Sequence, residues 1–116
     1  MLRIKNPKFG IIIPIFNTEK YLGECLDSIT NQSYQNFVVY LVDDGSLDQS
    51  ADIARSYVEK DSRFHFFSKK NGGVSSARNL AIEKILENDE IELICFLDSD
   101  DIAKSKHLKK IQLTTQ

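Results

Sequence analysis

The sequence predicts an α/β protein: a Rossmann-like open, mostly parallel sheet with helices on both faces and strand order 3-2-1-4. Two observations lead there. Four short runs rich in β-branched and aromatic residues recur along the chain, and apolar residues repeat at helical spacing in the segments between them. Buried strands alternating with amphipathic helices imply βαβ units, and right-handed crossovers then place helices on both faces. At 116 residues the chain has room for one domain with one core.

The elements follow in order. Gly10 to Phe16 reads GIIIPIF, so Gly10–Ile15 is expected as a strand buried on both faces. Tyr21, Leu22, Cys25, Leu26 and Ile29 fall on one stripe, predicting a helix from Glu19 to Asn31. Phe37–Val42 (FVVYLV) is a second strand of the same buried kind. Ser46 with Gln49 three residues on resembles a capping box, with a helix behind it through Ile53, Ala54, Tyr57 and Val58. Phe64–Phe67 is a short third strand. Ala77, Leu80, Ala81 and Ile85 mark a third helix, its stripe widened by Ile82 and Leu86. Ile91–Leu97 (IELICFL) is the fourth strand, with Phe96 expected to expose apolar surface at the sheet edge. A polar segment from Lys104 to Gln116 closes the chain as a further helix candidate.

Composition excludes several function classes. The 15 basic and 17 acidic residues leave a net charge of −2, so no strongly basic face is available for nucleic acid. No apolar run reaches the roughly 18 residues of a membrane span, and the N-terminus lacks a secretory apolar region. Cys25 and Cys95 lie in apolar stretches without metal-ligand spacing and read as buried thiols in a reducing cytoplasm. No Gly-x-Ser-x-Gly elbow, GxGxxG or P-loop pattern is present.

In open parallel sheets ligands bind outside the carboxyl ends of the strands. The segments there are Pro14-Ile15-Phe16-Asn17, Asp43-Asp44-Gly45-Ser46, Ser68 to Gly73, and Asp98-Ser99-Asp100-Asp101. Three aspartates within four residues repel one another unless a cation compensates, and short-loop carboxylates suit Mg²⁺ or Mn²⁺ completed by water and phosphate. A solvated acidic turn is the competing account. Asp43 and Asp44 can accept from a base N–H or a ribose hydroxyl, or merely cap the next helix. Phe16 is placed to stack on a base or to fill the core. The Asn71-Gly72-Gly73 loop, Ser75, Ser76 and Arg78 together can hold a diphosphate, although Arg78 can equally pair with Glu83. Lys69 and Lys70 read as solvated.

Taken together, IIIPIFN, ECLDSITNQSYQNFVVYLVDDGS, NGGVSSARN and FLDSDD resemble the nucleotide-sugar-binding half of the family 2 glycosyltransferases, from about Gly10 to about Ile102. The resemblance implies a partial GT-A fold, a nucleotide-diphosphate-sugar donor with UDP favoured, Mn²⁺ or Mg²⁺, and inversion at the anomeric carbon. It implies that Phe16, with Pro14 in the same motif, contacts the base and that Asp44, beside Asp43, reads the pyrimidine edge. Asp98 and Asp100 match the two ends of a DXD motif around Ser99, which gives Asp98 to ribose or sugar and Asp100 to the metal. Asp101 offers a second framing of that motif, and Arg78 matches a phosphate contact. A glycan or lipid-linked acceptor is implied, in the cytoplasm or at the inner membrane face, with peripheral membrane association of the full-length enzyme; a homodimer is an expectation from the apolar surface exposed around Phe96.

Family members continue into an acceptor-binding region that supplies the catalytic base, whereas fifteen residues follow Asp101 here. The expectation is therefore a donor-binding part without its base, from a truncated or a naturally short enzyme. Three other readings compete. A nucleotidyltransferase calls for a basic Gly-rich loop where PIFNTEKY stands. A receiver domain calls for acidic residues after the first strand. A nucleotide-binding module without turnover stays open.

Overall fold

The computed structural model describes residues 6–100; Asp101 and the Lys104–Gln116 segment lie outside them. Seven elements alternate: β1 (Phe9–Ile15), α1 (Glu19–Thr30), β2 (Phe37–Asp43), α2 (Ser50–Lys60), β3 (Phe64–Ser68), α3 (Val74–Leu86) and β4 (Leu93–Phe96). The four strands form one parallel sheet in the order β3-β2-β1-β4, as expected.

The winding direction explains the layers. β1 to β2 to β3 steps one way across the sheet, so right-handed crossovers put α1 and α2 on the same face. β3 to β4 steps back past β1, which sends α3 to the other face. Alternating side chains serve the two layers. Ile11, Ile13 and Ile15 of β1 pack with Leu22, Cys25, Leu26 and Ile29 of α1 and with Ala54 of α2. Ile12, Val38, Tyr40 and Val42 pack against Ala77, Ala81 and Ile85 of α3. Every residue of β1 and β2 is buried, Asp43 at the end of β2 included, as befits central strands covered on both faces.

The edges depart from the sequence reading. β4 begins at Leu93 rather than Ile91, because Ile91 packs under α3 and the Glu92 N–H already bonds the Lys8 carbonyl before the ladder starts. It is an edge strand, with Ile94 and Phe96 about half exposed on one face. Leu86 is 75% exposed and does not widen the α3 stripe.

The start of α2 is also corrected, from Ser46 to Ser50. Ser46 is engaged elsewhere, its Oγ accepting from the Asn17 N–H at 3.0 Å. The turns after β1 and β2 are in fact laced together. Asn17 Oδ1 accepts from the Leu47 N–H at 2.8 Å, and Ser50 Oγ accepts from the Thr18 N–H at 2.9 Å. Asp48 bridges both helix starts, accepting from the Glu19 N–H at 3.2 Å and the Ser50 N–H at 2.9 Å. Donors at the start of α1 are thus satisfied from the turn after β2, while Asp48 also serves the start of its own helix, α2.

Candidate functional site

The order in which strands are added switches sides at β1, which lies between β2 and β4, and in open parallel sheets a crevice forms at the carboxyl ends beside such a switch. A cleft of about 240 Å³ opens there. Pro14 and Phe16 from the end of β1 and Thr18 from the start of α1 form one wall. Asp44 follows β2, Val74 begins α3, and Asp98, Ser99 and Asp100 follow β4. Phe16 is 45% exposed, a large apolar ring left open in the cleft.

Asp44 is only 4% exposed, and its carboxylate is clamped. Oδ1 accepts from the Gly72 N–H at 2.9 Å and pairs with Lys69 Nζ at 3.2 Å, while Oδ2 accepts from the Gly73 N–H at 2.9 Å. Asn71 closes the arrangement by donating to the Asp44 carbonyl at 3.0 Å. Burial by itself works against the charge, but the Gly72 N–H, Lys69 and the Gly73 N–H outweigh it and hold the carboxyl below its ordinary 3.8. The Gly-rich loop therefore spends two N–H groups on the protein's own carboxylate, where the sequence reading had offered the loop to a diphosphate. Gly73 adopts φ 96°, which suits glycine and turns the chain into α3. Lys69, read from sequence as solvated, is instead the counter-charge of a buried carboxylate.

The segment after β4 is pinned from α1. Thr18 Oγ1 donates to Ser99 Oγ at 2.9 Å, and Cys25 Sγ contacts the Asp98 carbonyl at 3.6 Å. Asp98 and Asp100 stay open to solvent, the Asp98 side chain being 60% exposed. Arg78 Nη2 lies 3.5 Å from Asp98 Oδ1, and its guanidinium sits over the Phe96 ring at 5.3 Å. Among the described residues no three His, Cys, Asp or Glu side chains converge as a protein-only metal cage would.

Of the residues singled out by sequence, Pro14, Phe16, Asp44, Asp98, Ser99 and Asp100 meet on one cleft. Asp43 does not line it. As the last residue of β2 it alternates to the other side from Asp44 and is 5% exposed, with Oδ2 accepting from the Ser46 N–H at 3.2 Å. Arg78 lies one helical turn beyond Val74, beside the cleft and paired with Asp98 rather than Glu83. Asp101 lies outside the described residues. Sequence reasoning missed Thr18, Lys69 and Val74. The signal for Val74 was its place immediately after the Gly-Gly turn.

Fold and cleft define a doubly wound α/β unit in which an aromatic wall faces acidic residues across the cleft. The Glycosyl transferase family 2 model matches residues 10–114, and the chain belongs to that family. An uncharacterized glycosyltransferase of Haemophilus influenzae is 42% identical over 105 residues, covering 90% of this chain and 40% of that protein. The crystal structure of S. aureus TarS 1-349 in complex with UDP-GlcNAc superposes with a TM-score of 0.80 at 34% identity, over 91% of this chain and 30% of that one. A mannosyltransferase from Pyrobaculum calidifontis in complex with GDP-Man and Mn²⁺ shares the fold at a TM-score of 0.80 and 21% identity. The sheet is that of a GT-A glycosyltransferase. The chain spans less than half the length of these relatives.

Proposed function

We propose that the chain is the donor-binding part of an inverting glycosyltransferase that takes a UDP-sugar with Mn²⁺ or Mg²⁺ and passes a hexose to a glycan or lipid-linked acceptor. One observation carries the reading: Phe16, Asp44, Asp98, Ser99 and Asp100 come from three strand ends and share one cleft. The UDP-GlcNAc complex of the similar TarS structure supports the choice of nucleotide.

Each side chain has work suited to its chemistry. The Phe16 ring stacks on the base. Asp44 accepts a base N–H, and Asp98 accepts hydroxyls of ribose or sugar. Asp98 and Asp100 are exposed hard-oxygen donors, a set that fits a cation shared with a diphosphate better than one caged by protein alone. When bound, the cation offsets the charge that develops on the leaving diphosphate. Arg78 Nε is buried without an acceptor among the described residues, and this donor is the one we assign to the diphosphate. Asp101 is a further candidate ligand. The base that deprotonates the acceptor hydroxyl is assigned to no described residue.

Among the described residues no helix is long and apolar enough to cross a membrane. The setting we propose is the cytoplasm, at the inner membrane face where the acceptor is lipid-linked. Calorimetric titration of UDP, GDP and ADP, with and without Mn²⁺, tests the reading. UDP should bind most tightly and gain from Mn²⁺, with Kd on the order of tens of micromolar to millimolar because an open cleft buries little ligand surface. Equal affinity for all three nucleotides, unaffected by Mn²⁺, would overturn it.

A further inference from the structure

The Asp44 clamp has an arithmetic of its own. A carboxylate offers about four lone-pair positions. Gly72, Gly73 and Lys69 take three of them, two on Oδ1 and one on Oδ2. One acceptor position, on Oδ2, is therefore left, on a group 96% buried and lining the same cleft as Phe16. Such a group distinguishes two kinds of base edge. An edge that presents an N–H at the ring position is bound. An edge that presents a ring nitrogen lone pair meets an acceptor and is refused, as long as the carboxyl stays ionised.

Asp43 adjoins Asp44 in sequence but turns to the other side, and Asp98 and Asp100 line the same cleft; burial works against a charge on Asp44, and Lys69 with the two loop N–H groups outweighs it. From the other elements, Arg78 of α3 pairs with Asp98, and Lys69 after β3 pairs with Asp44. Lys69 is itself held, with its side chain 19% exposed and Nζ donating to the Lys70 carbonyl at 2.6 Å.

We propose that Lys69 is a positioning residue that sets base specificity through Asp44: its ammonium keeps the carboxylate an acceptor only, so that the cleft selects an imide-edged base such as uracil over an acceptor-edged one such as cytosine. The proposal rests on the reading of Asp44 as the base contact. It assigns to Lys69 the pH range over which the selection holds. Removing the ammonium leaves the two loop N–H groups in place but lets Asp44 take up a proton at higher pH. The resulting O–H donates to the cytosine ring nitrogen, and the selection fades.

The experiment is the ratio of CDP to UDP dissociation constants as a function of pH, for the unaltered chain, Lys69→Met, Lys69→Arg and Asp44→Ala. Measurements stay above the pH at which cytosine itself is protonated. The two nucleotides share the same diphosphate, so its titration cancels in the ratio, and general structural damage weakens both alike. The unaltered chain should prefer UDP by about tenfold or more across the range. Lys69→Met should keep that preference at high pH and lose it as pH falls, with Lys69→Arg restoring the original profile. Coincident profiles for Lys69→Met and the unaltered chain would overturn the role of Lys69 while the Asp44 reading stood. A preference that survives Asp44→Ala would sink the Asp44 reading and this proposal with it. Circular dichroism of each variant identifies any that fails to fold, in which case Lys69→Gln takes the place of Lys69→Met.

Discussion

Thr18 and Ser99, 81 residues apart in sequence, share a 2.9 Å hydrogen bond on the wall of the cleft. The bond ties the start of α1 to the segment that bears Asp98 and Asp100, beside the contact of Cys25 Sγ with the Asp98 carbonyl. It also explains why Thr18 makes no side-chain cap to its own helix. Thr18→Val keeps the shape and removes the donor. It should cost about 1 kcal/mol in urea denaturation, and Ser99→Ala should be non-additive with it in a double-mutant cycle. Full additivity would mean that the two hydroxyls do not interact.

The Gly73 turn separates conformational strain from steric clash. A Cβ there meets nothing within 4 Å, yet φ is 96°. Gly73→Ala should therefore destabilise by about 1–3 kcal/mol through backbone conformation alone, and Gly73→Asn should be no milder, because ψ 166° lies outside the left-handed helical region that Asn tolerates. Gly45→Ala should cost more than either. Its φ is 81°, and its Cβ would also come within 3.0 Å of the Asn71 backbone nitrogen.

Acid should weaken the fold in a defined window. Asp44 titrates below 3.8 in the folded chain, where its loop N–H and Lys69 partners overcome the effect of burial, and Asp61 does so chiefly through its hydrogen bonds with Arg63. Folded values depressed below the unfolded ones contribute stability above 3.8, and that stability is lost as pH falls through the folded values. Urea midpoints should therefore be flat with respect to these groups near neutrality and fall below about pH 4. Asp44→Asn should flatten part of that fall, and an unchanged slope would count against the clamp.

Alkali tests the helix pair. Tyr57 donates to Asp27 Oδ1 at 2.6 Å and to the Gly23 carbonyl at 3.0 Å, joining α2 to α1. Burial first, and then the Asp27 hydrogen bond, push its phenol up to about 12. That raised value contributes stability below 10, and it is lost as pH rises toward 12. Tyr57→Phe should cost about 1 kcal/mol near neutral pH and remove one late-titrating phenol from the ultraviolet absorbance titration.

The metal role divides the two acidic clusters. Asp100→Asn should weaken UDP binding mainly when Mn²⁺ is present, whereas Asp44→Ala should weaken it equally with and without Mn²⁺. Identical responses of the two variants would contradict the division of labour proposed for them.

The sheet was legible because its two central strands are short, almost wholly apolar runs that only a place covered on both faces accommodates, and amphipathic helices separate them. The cleft followed from the same topology, since Asp44, Asp98 and Asp100 each follow a strand end. What escaped was long-range polar pairing. Ser46 has the spacing of a local cap, and only the fold shows that its hydroxyl is taken by Asn17. Lys69 looks like any surface lysine until β3 sets its backbone N–H on the Asp43 carbonyl and brings its ammonium to Asp44. Asp43 and Asp44 are indistinguishable as neighbours in sequence, and strand alternation separates them.

The position of β1 between β2 and β4 also shapes how the chain acquires its fold during synthesis. Among the four strands β1 is made before the others and finds β2 within a few tens of residues, but the partner for its other edge arrives only with Leu93–Phe96. Until then a strand of seven residues carries an open ladder of N–H and C=O groups, the kind of edge that recruits strands from other chains. Closing that edge spans most of the chain, so it is the slow, high-contact-order step. Slower translation through the β4 segment would lengthen the exposure, and aggregation in the cell would then depend on elongation rate as well as on the stability of the finished fold.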